Sequence, residues 1–433
     1  MTSEPSPREA YVWIWLPGAT APVVAGRLAR DGGKLVFNYG RSYLERPGAI
    51  PIYEPELPLR RGAIPPGPDL GLAGCLRDAA PDAWGRRVII NRTLGLKGKD
   101  IDLGSLDELT YLLESGSDRI GALDFQASPT VYVPRPVRPA TLQELLTIAA
   151  RIEAGEMLTP ELDQALFHGS SIGGARPKGM FEDHDRKFVA KFSSTGDTYS
   201  VVKAEFVAMR LAARAGLEAA PVRLEMAQGK DVLLVERFDR RKVPDGWRRK
   251  ALVSALTLFG FDEMLARYAS YETLAEIIRH RFAAPRDTLR ELFGRLVFNV
   301  LCGNTDDHAR NHAAFWDGAS LALTPAYDIC PQNRTGNEAT QAMRISGDTR
   351  ASTLAACLEA APHFLLDAAA AAGIIAGQIA AIQKEWDAAC QEANLTETDQ
   401  ALLRRRMFLN PYIFQGAPDG LRQLGEAWAG KNH

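Results

Sequence analysis

The chain has 433 residues, enough for two or three domains rather than one. Hydrophobic residues make up 46% and charged residues 24%, as in an ordinary folded protein, and the net charge of −2 excludes a global basic field of the kind that marks a nucleic-acid binder. The five cysteines (Cys75, Cys302, Cys330, Cys357 and Cys390) form no C-x-x-C pair, which argues against a disulfide framework or a zinc ribbon and suits a reducing, cytoplasmic setting.

The polar opening MTSEPSPREA and the short run YVWIWL lack the apolar length of a signal-peptide core. Residues 11–65 read as short strands (YVWIWL, KLVFNYG) separated by Gly and Pro signals. CLRDAAPDAWGRRVIINRTLG, 75–95, reads as helix with a turn at Pro81. VYVPRPVRPATLQEL marks a boundary. Its prolines suit an extended linker, and Thr141 with Glu144 three residues on is a capping-box helix start. The first domain is therefore placed at 1–134.

From 168 to 245 the character changes. A Gly/Ser turn, HGSSIGGARPKG, leads into the alternating strand KFVAKF, a helix over 200–215, and the strands PVRLEMA and DVLLVERF. The run RFDRRKVPDGWRRK, 237–250, holds seven cations and two acids; it reads as a DNA or RNA contact or as a solvated hairpin tip. Beyond about 250 the chain reads as mainly helical apart from one short hairpin. The Ala-rich region near 364–383 is broken by Asp367 and Gln378 and reads as a buried helix, not a membrane span.

The chemistry gathers around GNTDDHARNH, 303–312. The preceding LRELFGRLVFNVL carries apolar residues at 289, 292, 293, 296, 297, 300 and 301, a 3.6-residue stripe, and Gly303 is a natural C-terminal cap. A loop is thus delivered at the end of a buried helix. Asp306 and Asn311 have the D-x-x-x-x-N spacing of a kinase catalytic loop, where a carboxylate accepts the substrate hydroxyl's proton and an amide oxygen ligates Mg2+. A hairpin turning at Asp317-Gly318 follows, and then Asp328 in LTPAYDIC, where a kinase places its second metal-binding aspartate. His308 and His312 would suit a metal if they were helical. The glutamate of H-E-x-x-H is missing, however, so structural or nucleotide-contacting histidines are the better reading.

Upstream, Lys191 lies in the alternating strand and Glu205 at the edge of the next helix's apolar stripe. The two could pair and aim the ammonium at nucleotide phosphates, although each also reads as an ordinary solvated residue. The Gly/Ser turn fits neither a Walker A loop nor a strict G-x-G-x-x-G, and a plain hairpin turn is its alternative.

Together, SSIGGARPKGMF, VLLVERFDR, GNTDDHARNHAAF and LTPAYDIC resemble the HipA family of bacterial toxin kinases in order and spacing, and LRDAAPDAWGR is similar to that family's N-terminal subdomain. The resemblance implies an α+β protein with a two-lobed, protein-kinase-like fold. An extra β-rich N-terminal subdomain would span 1–134, an N-lobe with phosphate loop and hinge 135–245, and a mainly helical C-lobe 246–433. It implies a serine/threonine protein kinase that uses ATP and Mg2+.

By motif, Asp306 would be the catalytic base and Asn311 and Asp328 would hold Mg2+. Lys191 would bind phosphates with Glu205 as its partner. Glu236 and Phe238 would offer backbone groups to adenine. Gly173, Gly174 and Lys178 would belong to the phosphate loop, with His308 and Arg310 beside the nucleotide; Arg310 stands where the resemblance leads one to expect a lysine. Ser171, or its neighbour Ser170, matches the family's autophosphorylated serine, whose modification would push the loop out and switch the enzyme off. The implied partners are a small helix-turn-helix antitoxin, DNA through that antitoxin, and a protein substrate such as an aminoacyl-tRNA synthetase, with no membrane. Competing readings are a kinase-like scaffold or DNA corepressor that binds nucleotide without turnover, and a small-molecule or lipid kinase.

Overall fold

The computed structural model describes residues 7–95, 102–135, 140–154, 156, 162, 176–194, 196–334, 336 and 338–430. The chain divides into two compact units. The first comprises 1–196, 225–253 and 315–319; the second comprises 197–224, 254–314 and 320–433.

The first unit holds two antiparallel sheets. Strands β1 (Glu9–Ile14), β2 (Val23–Asp31), β3 (Lys34–Tyr39) and β4 (Leu123–Gln126) are ordered β3-β2-β1-β4, with a register shift between Val12 and Trp13. Helix α1 (Ala83–Leu94) starts after Pro81, where the Asp82 carboxylate accepts from Gly85 N at 3.0 Å, and ends at Gly95 in the left-handed region. Helix α2 (Glu108–Glu114) follows, capped by Asp107. Helix α3 (Leu142–Ala154) opens with the expected capping box. Thr141 N donates to Glu144 Oε2 at 2.9 Å, and Glu144 N donates back to Thr141 Oγ1 at 3.2 Å.

The second sheet has the order β5-β6-β8-β7, built from β5 (Lys178–Asp183), β6 (Arg186–Phe192), β7 (Val222–Ala227) and β8 (Lys230–Glu236). Period-2 alternation puts Phe188, Ala190 and Phe192 on one face. They pack with Leu145, Ile148 and Trp84 from α3 and α1 and with Val232 and Leu234 from β8. Each large apolar side chain buried there contributes roughly 1.5–3 kcal/mol. The fit is tight at Gly179, where a Cβ would stand 2.8 Å from Leu145 Cδ2, so any side chain there would force Leu145 to shift.

A buried charge network ties these layers together. Asp118 accepts from Lys187 Nζ at 2.6 Å, from Arg237 Nη1 at 3.0 Å and from Arg240 Nε at 3.1 Å. Asp239 bonds both arginines at 2.7 Å and also takes the Gly121 amide at 2.8 Å. Burial alone would raise both carboxyl pKa values, but the neighbouring guanidinium charges outweigh it and hold them below the ordinary range. A hairpin of β9 (Arg240–Val243) and β10 (Gly246–Arg249) follows directly.

The second unit is mainly helical. Helix α4 (Val201–Arg214) lies against a long α8 (Ala368–Glu392). Lys203 Nζ reaches Asn394 O at 2.9 Å, and Arg210 pairs with Glu392 at 2.8 Å. Between them in sequence come α5 (Tyr271–Arg281), α6 (Pro285–Cys302) and α7 (Leu354–Ala360); α9 (Glu397–Arg406) and α10 (Asp419–Ala429) close the chain. The Ala-rich helix α8 departs from the sequence expectation. It starts at Ala368 behind an Asp367 cap and buries one face only, through Ala371, Ile375, Ile379, Ile382 and Trp386. Alanine gives a strong helix without committing every face to a core. Among the described residues no helix is long and apolar enough to cross a membrane.

Candidate active site

Helix α6 is the mount. From Leu292 to Cys302 every residue is buried, Arg295 and Asn299 included. Arg295 is held by Glu291 at 2.8 Å and by the Thr324 carbonyl at 2.8 Å, so its charge does not unsettle the core. The helix stops at Gly303 (φ +73°), where a Cβ would stand 2.9 Å from Met407 O, so both the turn and the close approach of backbone require glycine. Asn304 N then donates to Asn299 O at 2.9 Å, and the two side-chain amides bond at 3.0 Å, fixing where the loop begins.

The loop's carboxylates have separate tasks. Asp307 is buried against His312 (Nε2 to Oδ1 3.0 Å) and accepts a bond from the buried Tyr271 hydroxyl. Burial opposes its charge, but His312 outweighs burial and lowers its pKa. Asp306 is the opposite case. Although its side chain is exposed, partial desolvation by the surrounding loop raises its pKa most, His308 pulls it down, and the negative charges of Asp328 and Asp307 push it up again, leaving it above the usual range. Asn311 is pinned to the same loop, its Nδ2 donating to Asp306 O at 3.2 Å and its backbone N to His308 O at 2.8 Å.

His308 and His312 are not helical i,i+4 neighbours. Residues Ala309–Asn311 form a short 3-10 turn; His308 caps it, with Nδ1 accepting from Arg310 N at 3.3 Å, and His312 belongs to Asp307. No cluster of three or more His, Cys, Asp or Glu side chains suited to a metal occurs among the described residues. Arg310 forms an ion pair with Glu263.

Asp328 arrives by way of the hairpin of β11 (Ala313–Trp316) and β12 (Leu321–Leu323), which turns at Gly318 with φ +102°. Its own backbone is left-handed (φ +59°), a conformation that costs energy for a non-glycine residue and must be held by its surroundings. The neighbouring Tyr327 hydroxyl clamps the Arg310 carbonyl at 2.6 Å, and Ala326 pairs in parallel with Ala219.

The repulsion between Asp328 and Asp306 is the observation that bears on Mg2+. Two carboxylates and an amide oxygen are hard donors, and a divalent cation would relieve the charge they share, so the residues present fit the ion. A measurement follows. A carboxyl-carbon NMR titration is expected to place the Asp306 midpoint above the usual aspartate value of about 3.9. In Asp328→Asn the midpoint should drop, because a negative neighbour has been removed; an unmoved midpoint would contradict the repulsion.

The other expected site residues fall as follows. Lys191 is half-buried in β6, opposite Lys178 on β5, rather than fully solvent-facing. Lys178 is buried, its ammonium 3.7 Å from Asp82 at the head of α1. Glu205 is buried in α4 (4% exposed), not set at a solvated edge. Lys191 belongs to the first unit and Glu205 to the second. Glu236 ends β8 and pairs with Arg186 at 3.2 Å, while the Phe238 ring meets Phe315 edge-on at 5.8 Å. Ser170, Ser171, Gly173 and Gly174 lie outside the described residues. Sequence reasoning missed Tyr271 and the Asp307–His312 pair. The local signal was the doubled aspartate, of which the loop can present only one outward.

Comparison with known proteins gives the class, a protein kinase. The chain is 25% identical over 349 residues to the "Putative kinase Y4mE" of Sinorhizobium fredii, covering 73% of this chain and 76% of that one. It is 27% identical over 245 residues to the serine/threonine-protein kinase toxin HipA of Shewanella oneidensis, covering 49% and 54% respectively. The HipA-like C-terminal domain matches residues 170–386 and the HipA N-terminal domain residues 14–126; the chain belongs to the HipA family. Its fold matches a chain of the Shewanella oneidensis MR-1 complex of HipA, HipB and operator DNA, with a TM-score of 0.66 at 19% identity, over 96% of this chain and 97% of that one.

Proposed function

We propose that the protein is an ATP- and Mg2+-dependent serine/threonine kinase, the toxin of a toxin–antitoxin module. The observation that carries this reading is Asp306, an exposed carboxylate in the loop that follows a buried helix, with its proton affinity raised by partial desolvation and by Asp328. A base must be ionised at working pH yet keep some appetite for a proton, and this environment moves an aspartate in that direction. Asp306 takes the proton of the attacking hydroxyl, Lys191 holds nucleotide phosphates, and the segment Glu236–Phe238 receives adenine. Bound Mg2+, held by Asn311 and Asp328, supplies charge neutralisation at the transferring phosphoryl group. Lys178, His308 and Arg310 shape the surroundings of the nucleotide, and Gly173 and Gly174 let backbone amides approach the phosphates.

Ser171 is the proposed site of self-phosphorylation, with Ser170 as its neighbouring alternative. About two added negative charges in a loop meant for phosphates repel the nucleotide and end the reaction. The partners proposed are a helix-turn-helix antitoxin, operator DNA reached through it, and a cytoplasmic protein substrate of the translation machinery. The neighbour solved with HipB and operator DNA supports the antitoxin and, through it, DNA.

Phosphatase-treated protein incubated with γ-labelled ATP and Mg2+ is expected to take label on Ser171, and Ser171→Ala to lose it. Mass spectrometry locates the phosphate. Label on Ser170 alone would move the site by one residue. No label despite measured ATP binding would overturn the self-phosphorylation reading.

A further inference from the structure

The hairpin at 240–249 has a property that the catalytic reading does not use. Its register sets Arg241 directly opposite Arg248, and Lys242 opposite Trp247. Directly opposed residues share a face, with Cβ atoms about 4.5–5.5 Å apart, and like charges so placed destabilise the pair. The ladder continues, since Lys250 N donates to Asp239 O at 3.0 Å, so Lys250 falls on the same face as the two arginines. Arg241, Arg248 and Lys250 are all exposed. Among the described residues, neither Arg241 nor Arg248 has a carboxylate partner. Asp245, at the turn, is the one acid between residues 240 and 250.

The other basic residues of the run are committed elsewhere. Arg237 and Arg240 are buried in the Asp118–Asp239 network, and Arg249 lies 3.4 Å over the Trp15 ring and bonds Ser117 O. That network anchors the base of the hairpin, so its free face is presented by a rigid mount.

We propose that this face is a contact for the phosphate backbone of duplex DNA, made by this chain itself. A repulsive pair without internal compensation gains most from an external polyanion, because each phosphate neutralised also releases counterions. A two-stranded ribbon is a shape that a DNA groove admits. Single-strand binding is disfavoured. That mode uses exposed aromatic platforms, but the hairpin's Trp247 lies on the opposite face, where Lys187 and Lys242 each stand 5.0 Å from its ring. Contacts made to phosphates carry no sequence information, so this contact is indifferent to DNA sequence.

The test is fluorescence anisotropy of the full-length protein with a labelled 30-base-pair duplex of arbitrary sequence, across a salt series. The double variant Arg241→Gln/Arg248→Gln is compared with the parent and with Arg60→Gln/Arg61→Gln, which removes the same charge from another exposed loop. The hairpin variant is expected to bind at least about tenfold more weakly at low salt, and its slope of log K against log salt should fall by about 1.8, two phosphate contacts at about 0.9 each. The loop variant should leave the slope unchanged. Equal loss in both double variants, an unchanged slope in the hairpin variant, or equal parental affinity for single-stranded RNA or poly-glutamate would each overturn the proposal.

Discussion

Asp306→Asn is expected to lower phosphoryl transfer about 10²–10⁴-fold, the range that a positioned acid–base group contributes. Asparagine keeps the size of aspartate and its hydrogen-bonding shape but cannot take a proton. Substrate and nucleotide affinity should therefore change little while kcat falls. Stability should move the other way. A carboxyl whose folded pKa is raised binds more protons folded than unfolded, so its contribution falls as pH rises between the unfolded and folded values. At neutral pH the ionised Asp306 is therefore a net cost to the fold. The variant should melt at the parental temperature or slightly above it. Single-turnover kinetics with differential scanning calorimetry would check both halves. A fall in activity with a matching fall in melting temperature would reassign Asp306 to structure.

The largest loss of stability should come from Asp118→Asn. The substitution leaves Arg237, Arg240 and Lys187 facing one another around a neutral amide in a buried site. Breaking such a pair from one side costs about 3–5 kcal/mol, since the remaining charges stay desolvated. The pH dependence has a definite sign. The folded pKa of Asp118 is depressed, so its contribution is fully present above the unfolded value of about 3.9 and is lost as pH falls through the folded value. Parent and variant should thus differ by a constant amount between about pH 5 and 8 and converge below about 4. Urea unfolding followed by tryptophan fluorescence is a suitable probe, because Trp13, Trp15, Trp84, Trp247 and Trp316 all lie in the first unit. A difference that persists undiminished at pH 3 would rule out the electrostatic cause.

What could be read in the sequence was local. The stripe over 289–301 and Gly303 announced helix α6 and its stop because period and cap both lie within a few residues. The capping box at Thr141 and the Gly318 turn were legible for the same reason. The spacing of Asp306, Asn311 and Asp328 suggested one site, and the structure brings Asp306 within electrostatic reach of Asp328. The Asp118 network was not legible. Its members are 119 and 122 positions apart, and no periodicity links a loop carboxylate to arginines that far downstream. Lys178 read as part of a phosphate loop, yet a buried position beside Asp82 is a tertiary outcome that the glycine-rich context concealed. The division of labour between Asp306 and Asp307 depends on where Tyr271 and His312 arrive, which a linear spacing does not contain.

The two units are interleaved along the chain, which passes from one to the other five times. This has a consequence for synthesis on the ribosome. At about 5–20 residues per second, many seconds separate the emergence of α4 from that of its partner segment. The contacts Lys203–Asn394 and Arg210–Glu392 span more than 180 residues, so these bonds of α4 cannot form until residues 392–394 have emerged. The first unit likewise waits for residues 315–319. A nascent chain therefore carries Asp306 long before it carries a folded lobe to hold it. A chain that stops short of Glu392 would carry Asp306 without the segment that holds α4, and is expected to lack a settled helical unit.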